Sequence, residues 1–198
     1  MATLRYVIAL MLVCAVPAAI GYWLAIHPLA RLWRRMGQRL PFIIPGSFAL
    51  IIMAGMYLLR HRLLAADWGG NVPGAICGVT LLAASLRLLR ELRRDLPLSV
   101  MLGIPELSGE NPGRLIRSGL YARVRHPRYG QMTLALTGYA LIANYPAGYG
   151  ALLFWCAGIW LVTFLEEREL VDRFGEPYRE YCRSVPRFIP RLFPPHRR

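Results

Sequence analysis

From Tyr6 to Ile26 the chain runs for 21 residues without a charged side chain. A helix needs about 20 predominantly apolar residues to cross a bilayer. Inside lipid the backbone must satisfy its own polar groups, so such a run has the α-helix as its solution unless it closes into a barrel. A cleaved secretory leader has an apolar region of only about 7 to 15 residues, whereas this one continues to Ile26 before meeting Arg31; it is read as a retained helix. Four further runs follow at Leu40 to Leu59, Val72 to about Leu89, Tyr129 to Tyr145 and Ala147 to Leu165. With 56% hydrophobic and 18% charged residues, disordered and collagen-like chains are excluded. The expectation is an all-α integral membrane bundle of about five transmembrane helices, forming a single membrane domain over residues 1–198. The last two spans meet at Tyr145-Pro146-Ala147-Gly148, which leaves room only for a tight helical hairpin.

Five spans alternate sides, and the basic residues can be counted by side. All 24 are arginine, set against 11 acids. One face receives Arg5, Arg60 and Arg62; the other receives the remaining 21, at Arg31 to Arg39, Arg87 to Arg128 and Arg168 onward. Cytoplasmic loops carry the excess of positive charge, so the amino terminus is expected outside and the carboxyl terminus in the cytoplasm. The membrane is then the cytoplasmic one in a bacterium or the endoplasmic reticulum in a eukaryote. The net charge of +13 does not imply nucleic acid, because the arginines punctuate apolar runs instead of lining one face of a soluble fold. Gly74 and Gly78 stand in the GxxxG spacing that lets membrane helices approach closely. Cys14, Cys77, Cys156 and Cys182 form no CxxC and no ligand spacing with histidine, so no metal is expected.

Chemistry needs polar groups, and these concentrate in the segments Arg87 to Arg128 and Glu166 to Arg198. In the first, Arg125-His126-Pro127-Arg128-Tyr129 opens the fourth span. The residue before proline is pushed out of the helical region, while proline favours the first helical position. His126 is therefore the expected cap, and the helix mouth beside Arg125 and Arg128 suits a carboxylate or phosphate. In the second segment six of the 11 acids lie between Glu166 and Glu180. The hairpin makes spans four and five antiparallel, so Glu166 and Glu167 surface at about the depth of Arg125 to Tyr129. Glu169 and Arg173 are spaced to pair along the helix. Pro177 to Tyr181 reads as a short amphipathic helix, and Val185 to Pro190 as an extended tail folding back over the helix ends as a cytoplasmic cap.

In order, Gly119-x-Tyr121, Arg125-His126-Pro127-x-Tyr129, Glu166-Glu167-x-x-Leu170, Phe174-Gly175-x-x-Tyr178-x-x-Tyr181 and Val185-Pro186-Arg187 resemble the isoprenylcysteine carboxyl methyltransferase and phospholipid methyltransferase superfamily. The resemblance covers about the last 80 residues. It implies a small membrane bundle that binds S-adenosyl-L-methionine at the cytoplasmic ends of the last two spans, with cofactor-binding elements at about 115–129 and 166–190. It further implies that Arg125 and His126 hold the cofactor's carboxylate and that Tyr129 lines the pocket. Glu167, with Glu166 beside it, takes the ammonium or ribose; Tyr178, Arg187 and Phe188 belong to the tail that covers the adenine. Catalysis would rest on positioning, with no protein nucleophile. The acceptor would be a lipophilic molecule or lipid entering sideways from the bilayer. Trp160 to Leu165 carries no charge where the eukaryotic isoprenylcysteine enzymes carry arginine, which counts against a prenylated-protein carboxylate and leaves phospholipid amines, small isoprenoids, thiols and phenols open as acceptors. Two alternatives share some of these features: an NADPH-dependent membrane reductase of the sterol type, which also carries RHPxY, and a non-catalytic membrane scaffold.

Overall fold

The computed structural model describes residues 2–33, 35–36, 40–95 and 114–191. Parts of the first basic cluster (Arg34 and Arg39), residues 96–113 of the long polar segment, and Arg197 and Arg198 lie outside them.

Among the described residues all regular secondary structure is helical. The helices are α1 (Ala2–Ile26), α2 (Ala30–Trp33), α3 (Leu40–Leu58), α4 (Arg60–Leu63), α5 (Val72–Asp95), α6 (Pro127–Ala143), α7 (Pro146–Phe174) and α8 (Glu176–Ser184). A short 3₁₀ turn, Gly119–Ala122, precedes α6. Each apolar run forms one helix, with ends moved by a few residues. Three helices are long and apolar enough to cross a membrane: α1, α5 as far as Arg94, and α7; the apolar part of α3 is shorter, and α6 has 17 residues. The five expected spans are thus five helices, three of them of full crossing length.

The first helix is the centre of the bundle. It packs on α3, α6 and α7, while α5 lies along α6. Small residues set these approaches. A Cβ on Gly138 of α6 would come within 2.7 Å of the Gly78 carbonyl oxygen of α5, and one on Gly78 within 2.6 Å of the Gly138 oxygen. Backbone touches backbone there, as glycine at a membrane helix crossing permits. Gly74, the other member of the expected GxxxG pair, meets only the Asn71 side chain. Polar side chains tie the bundle internally: Gln131 Nε2 donates to Ser85 Oγ at 2.7 Å, and Trp155 Nε1 to Thr133 Oγ1 at 2.9 Å.

Chain reversals fix which ends meet. The α6–α7 turn is Asn144-Tyr145, with Asn144 at φ 54° in the left-handed region that asparagine tolerates better than most residues. Asn144 Nδ2 donates to Gly69 O at 3.0 Å, and Arg5 Nε to Ala143 O at 2.9 Å while its guanidinium pairs with Asp67. Pinning this turn end sends the opposite ends of α6 and α7 to one level. There α7 is 29 residues long, about 43 Å at 1.5 Å per residue, against a hydrocarbon core of about 30 Å. Its apolar stretch ends at Leu165, so Glu166–Phe174 projects beyond. Gly175, at φ 63°, then turns the chain into α8, which lies back against α7.

Candidate functional site

The helix mouth forms where the Pro127 rule places it. His126 is the residue before α6 and Pro127 its first residue. The side chain of His126 does not cap the helix, however. It is buried, at 4% exposure, and its Nε2–H donates to Glu167 Oε1 at 2.9 Å. The two amides just ahead of the helix are engaged by the tail: Arg125 N donates to Pro186 O at 2.8 Å and His126 N to Arg187 O at 3.1 Å. The tail is thus attached to the segment that opens the helix by two hydrogen bonds. Tyr181 fastens α8 to the same segment by donating to Tyr121 O at 2.6 Å.

Glu167 is the hub. Arg187 approaches its carboxylate with Nε at 3.0 Å from Oε1 and Nη2 at 2.5 Å from Oε2, the two-pronged geometry that arginine favours. Arg125 Nη1 stands 3.3 Å from Oε1. Burial works to raise this carboxyl's pKa, but hydrogen bonds from His126 and Arg187 and the charges of His126 and Arg125 outweigh it and hold it at about 2. Glu166, one position earlier, accepts from Tyr129 OH at 2.8 Å and lies 3.8 Å from His126 Nδ1. The ring of Phe188 lies 5.9 Å from that of His126, and the Arg187 guanidinium lies over Trp160 at 5.6 Å. Glu169 and Arg173 pair at 3.7 Å, as their spacing suggests.

Arg125, His126, Tyr129, Glu166, Glu167, Arg187 and Phe188 therefore form one contact network. The eighth candidate, Tyr178, joins through a cavity of about 290 Å³ that it lines with Phe164, Glu167, Val171, Cys182 and Arg187. Tyr178 is 1% exposed and its hydroxyl has no hydrogen-bond partner among the described residues; burial pushes its pKa well above the usual phenol range. Arg125 Nε is likewise buried without a partner. A buried polar atom left unsatisfied costs about 1–3 kcal/mol, so these two mark places where a polar ligand would be welcome.

A residue that sequence reasoning passed over lies next door. His27, just past the end of α1, lines a second cavity of about 390 Å³ with Pro28, Ala30, Leu165, Arg168, Glu169 and Asp172. Arg168 and Asp172 border both cavities. A lone histidine closing an apolar run carries no sequence signal for this; only the packing of α1 on α7 brings it there.

The family model for phospholipid methyltransferases matches residues 75–177, from the first turn of α5 through the hub to the start of α8. No solved structure matches the chain.

Proposed function

The chain belongs to the phospholipid methyltransferase family, and from that premise we propose that it is an S-adenosyl-L-methionine-dependent methyltransferase of the membrane, acting on a lipophilic acceptor that enters from the bilayer. The observation that carries this is Glu167 beside the smaller cavity, with two guanidinium groups and the His126 imidazole around it and the unsatisfied Tyr178 hydroxyl across from it.

The donor set fits the cofactor. Its amino acid end is a zwitterion, and the resting site already holds an anion paired with cations. The ligand's ammonium is received by Glu167, and its carboxylate by Arg187 and Arg125, so that resident ion pairs are exchanged for new ones and no charge is left buried alone. Tyr178 OH donates to a ribose hydroxyl, while Phe164 and Val171 offer the adenine an apolar wall. His126, held by Glu167, and Tyr129, held by Glu166, fix the orientation of both acids. When bound, S-adenosylmethionine supplies a methyl group activated by the sulfonium charge. The protein's part is to orient, to exclude water and to bring the acceptor to about 3–3.5 Å. The arginine count by side supports a cytoplasmic site and an amino terminus outside.

A comparison of thermal shifts tests the reading, since a ligand that binds only the folded state raises the melting temperature. S-adenosylhomocysteine is expected to stabilise the protein and NADPH to leave it unchanged. Stabilisation by NADPH alone would establish the reductase alternative, and no shift with either would favour a scaffold.

A further inference from the structure

His27 is 5% exposed, and neither ring nitrogen has a hydrogen-bond partner among the described residues. Its ring stacks on Trp23, with centroids 5.4 Å apart and planes 15° from parallel. An imidazole fixed by stacking, with both nitrogens unused, facing a cavity of about 390 Å³, is an expensive arrangement unless something polar enters. Leu165 and Ala30 make part of the lining apolar, and Arg168, Glu169 and Asp172 make part of it charged. Such a chamber suits the junction of an apolar chain with a polar head. It meets the proposed donor cavity at Arg168 and Asp172.

We propose that this second cavity receives the head of the methyl acceptor, and that His27 takes the proton from an acceptor heteroatom that carries one: an amine, a thiol or a phenol. This rests on the methyltransferase reading. The heteroatom's proton passes to an imidazole nitrogen, and the freed lone pair forms the bond to the methyl carbon. The carbon–sulfur electron pair remains on sulfur as a neutral thioether, and the imidazolium returns its proton to solvent. A carboxylate acceptor, already ionised, would need no such base.

The surroundings keep His27 ready to accept. Burial lowers its pKa first; the Glu166 charge opposes this, and the charges of His126 and Arg173 add to the lowering. The charged groups on the cavity wall, Arg168, Glu169 and Asp172, all come from α7. The imidazole is therefore neutral at neutral pH, and activity is expected to fall on the acid side as it protonates.

The probes are dodecylamine, 4-dodecylphenol and dodecanethiol, with dodecanoate as the control lacking a transferable proton. The protein labelled with ¹⁵N-histidine has four imidazoles, and His27→Gln identifies the signals of one. At least one protic probe is expected to shift the His27 signals, with dodecanoate leaving them unmoved. His27→Gln and His27→Asn are expected to keep S-adenosylhomocysteine affinity within twofold. Methyl transfer to the active probe is expected to fall at least 100-fold, and the acid limb of the rate profile to disappear. The proposal is overturned if no protic probe shifts those signals, if dodecanoate shifts them equally, or if the variants keep the rate and its acid limb. A tenfold or greater loss of S-adenosylhomocysteine affinity in the variants would also overturn it, by giving the cavity to the donor. Failure of the unmodified protein to bind S-adenosylhomocysteine is a separate result that defeats the methyltransferase reading itself.

Discussion

Replacing Glu167 by glutamine keeps the shape of the side chain and removes the charge that two guanidinium groups and the His126 imidazole share. A carboxyl moved from 4.5 to about 2 prefers its charged form in the folded state by roughly 3 kcal/mol, at 1.36 kcal/mol per pKa unit. Glutamine still accepts one hydrogen bond through its carbonyl, so the expected loss is about 2–3 kcal/mol. That range sits below the 3–5 kcal/mol typical when one partner of a buried pair is deleted outright. For a chain of this size each kcal/mol shifts the melt by about 2–4 °C, giving a drop of roughly 4–12 °C, read by tryptophan fluorescence in detergent. Because the folded pKa is depressed, this contribution is present above the ordinary carboxyl value near 4.5 and is lost as pH falls toward 2. The stability gap between the two proteins should therefore close on acidification. Calorimetry on the same samples is expected to show S-adenosylhomocysteine binding abolished. Combining Glu167→Gln with Arg187→Gln should cost at least 1 kcal/mol less than the two single changes added together. An unchanged melt, a pH-independent gap or unaltered ligand affinity would each refute the assignment of Glu167 as the hub.

Tyr178→Phe removes a buried hydroxyl that has no partner, so the melt is expected to hold or rise slightly. S-adenosylhomocysteine affinity should fall about 2–10-fold for one lost hydrogen bond, and unchanged affinity would take Tyr178 out of the site. Arg187→Lys replaces a two-pronged contact by a single point charge; a loss of about 1–2 kcal/mol in the melt is expected, with no loss if the tail is held by its backbone alone. Gly138→Ala drives a methyl to 2.7 Å from the Gly78 oxygen and should cost about 1–3 kcal/mol. Gly130→Ala, with open space around it in the same helix, should be neutral or gain up to about 1 kcal/mol. Equal melts for those two variants would mean that the α5–α6 crossing is not backbone on backbone.

What the sequence determined is whatever local physics enforces. Twenty-one uncharged residues before Arg31 must form a helix in lipid, Pro127 must end the loop and begin α6, and a hairpin with no room for a loop must bring the acid pair level with Arg125-His126. From those constraints follow the long helices at either end of the candidate site and the meeting of Glu166 and Glu167 with His126 and Tyr129, whereas Tyr178, Arg187 and Phe188 reach it through the tail. Tertiary structure decided how those residues divide their bonds. The sequence offered His126 as a cap and the helix mouth beside Arg125 and Arg128 as an anion receptor. In the folded chain the His126 imidazole donates to Glu167 and caps no helix amide, and the carbonyls of Pro186 and Arg187 take the amides of Arg125 and His126, just ahead of the helix. A hydrogen-bond donor goes to the strongest acceptor within reach, and reach is set by packing between segments some 40 and 60 residues apart. His27 entered for the same reason, since only the approach of α1 to α7 puts an otherwise unremarked ring at the wall of a cavity.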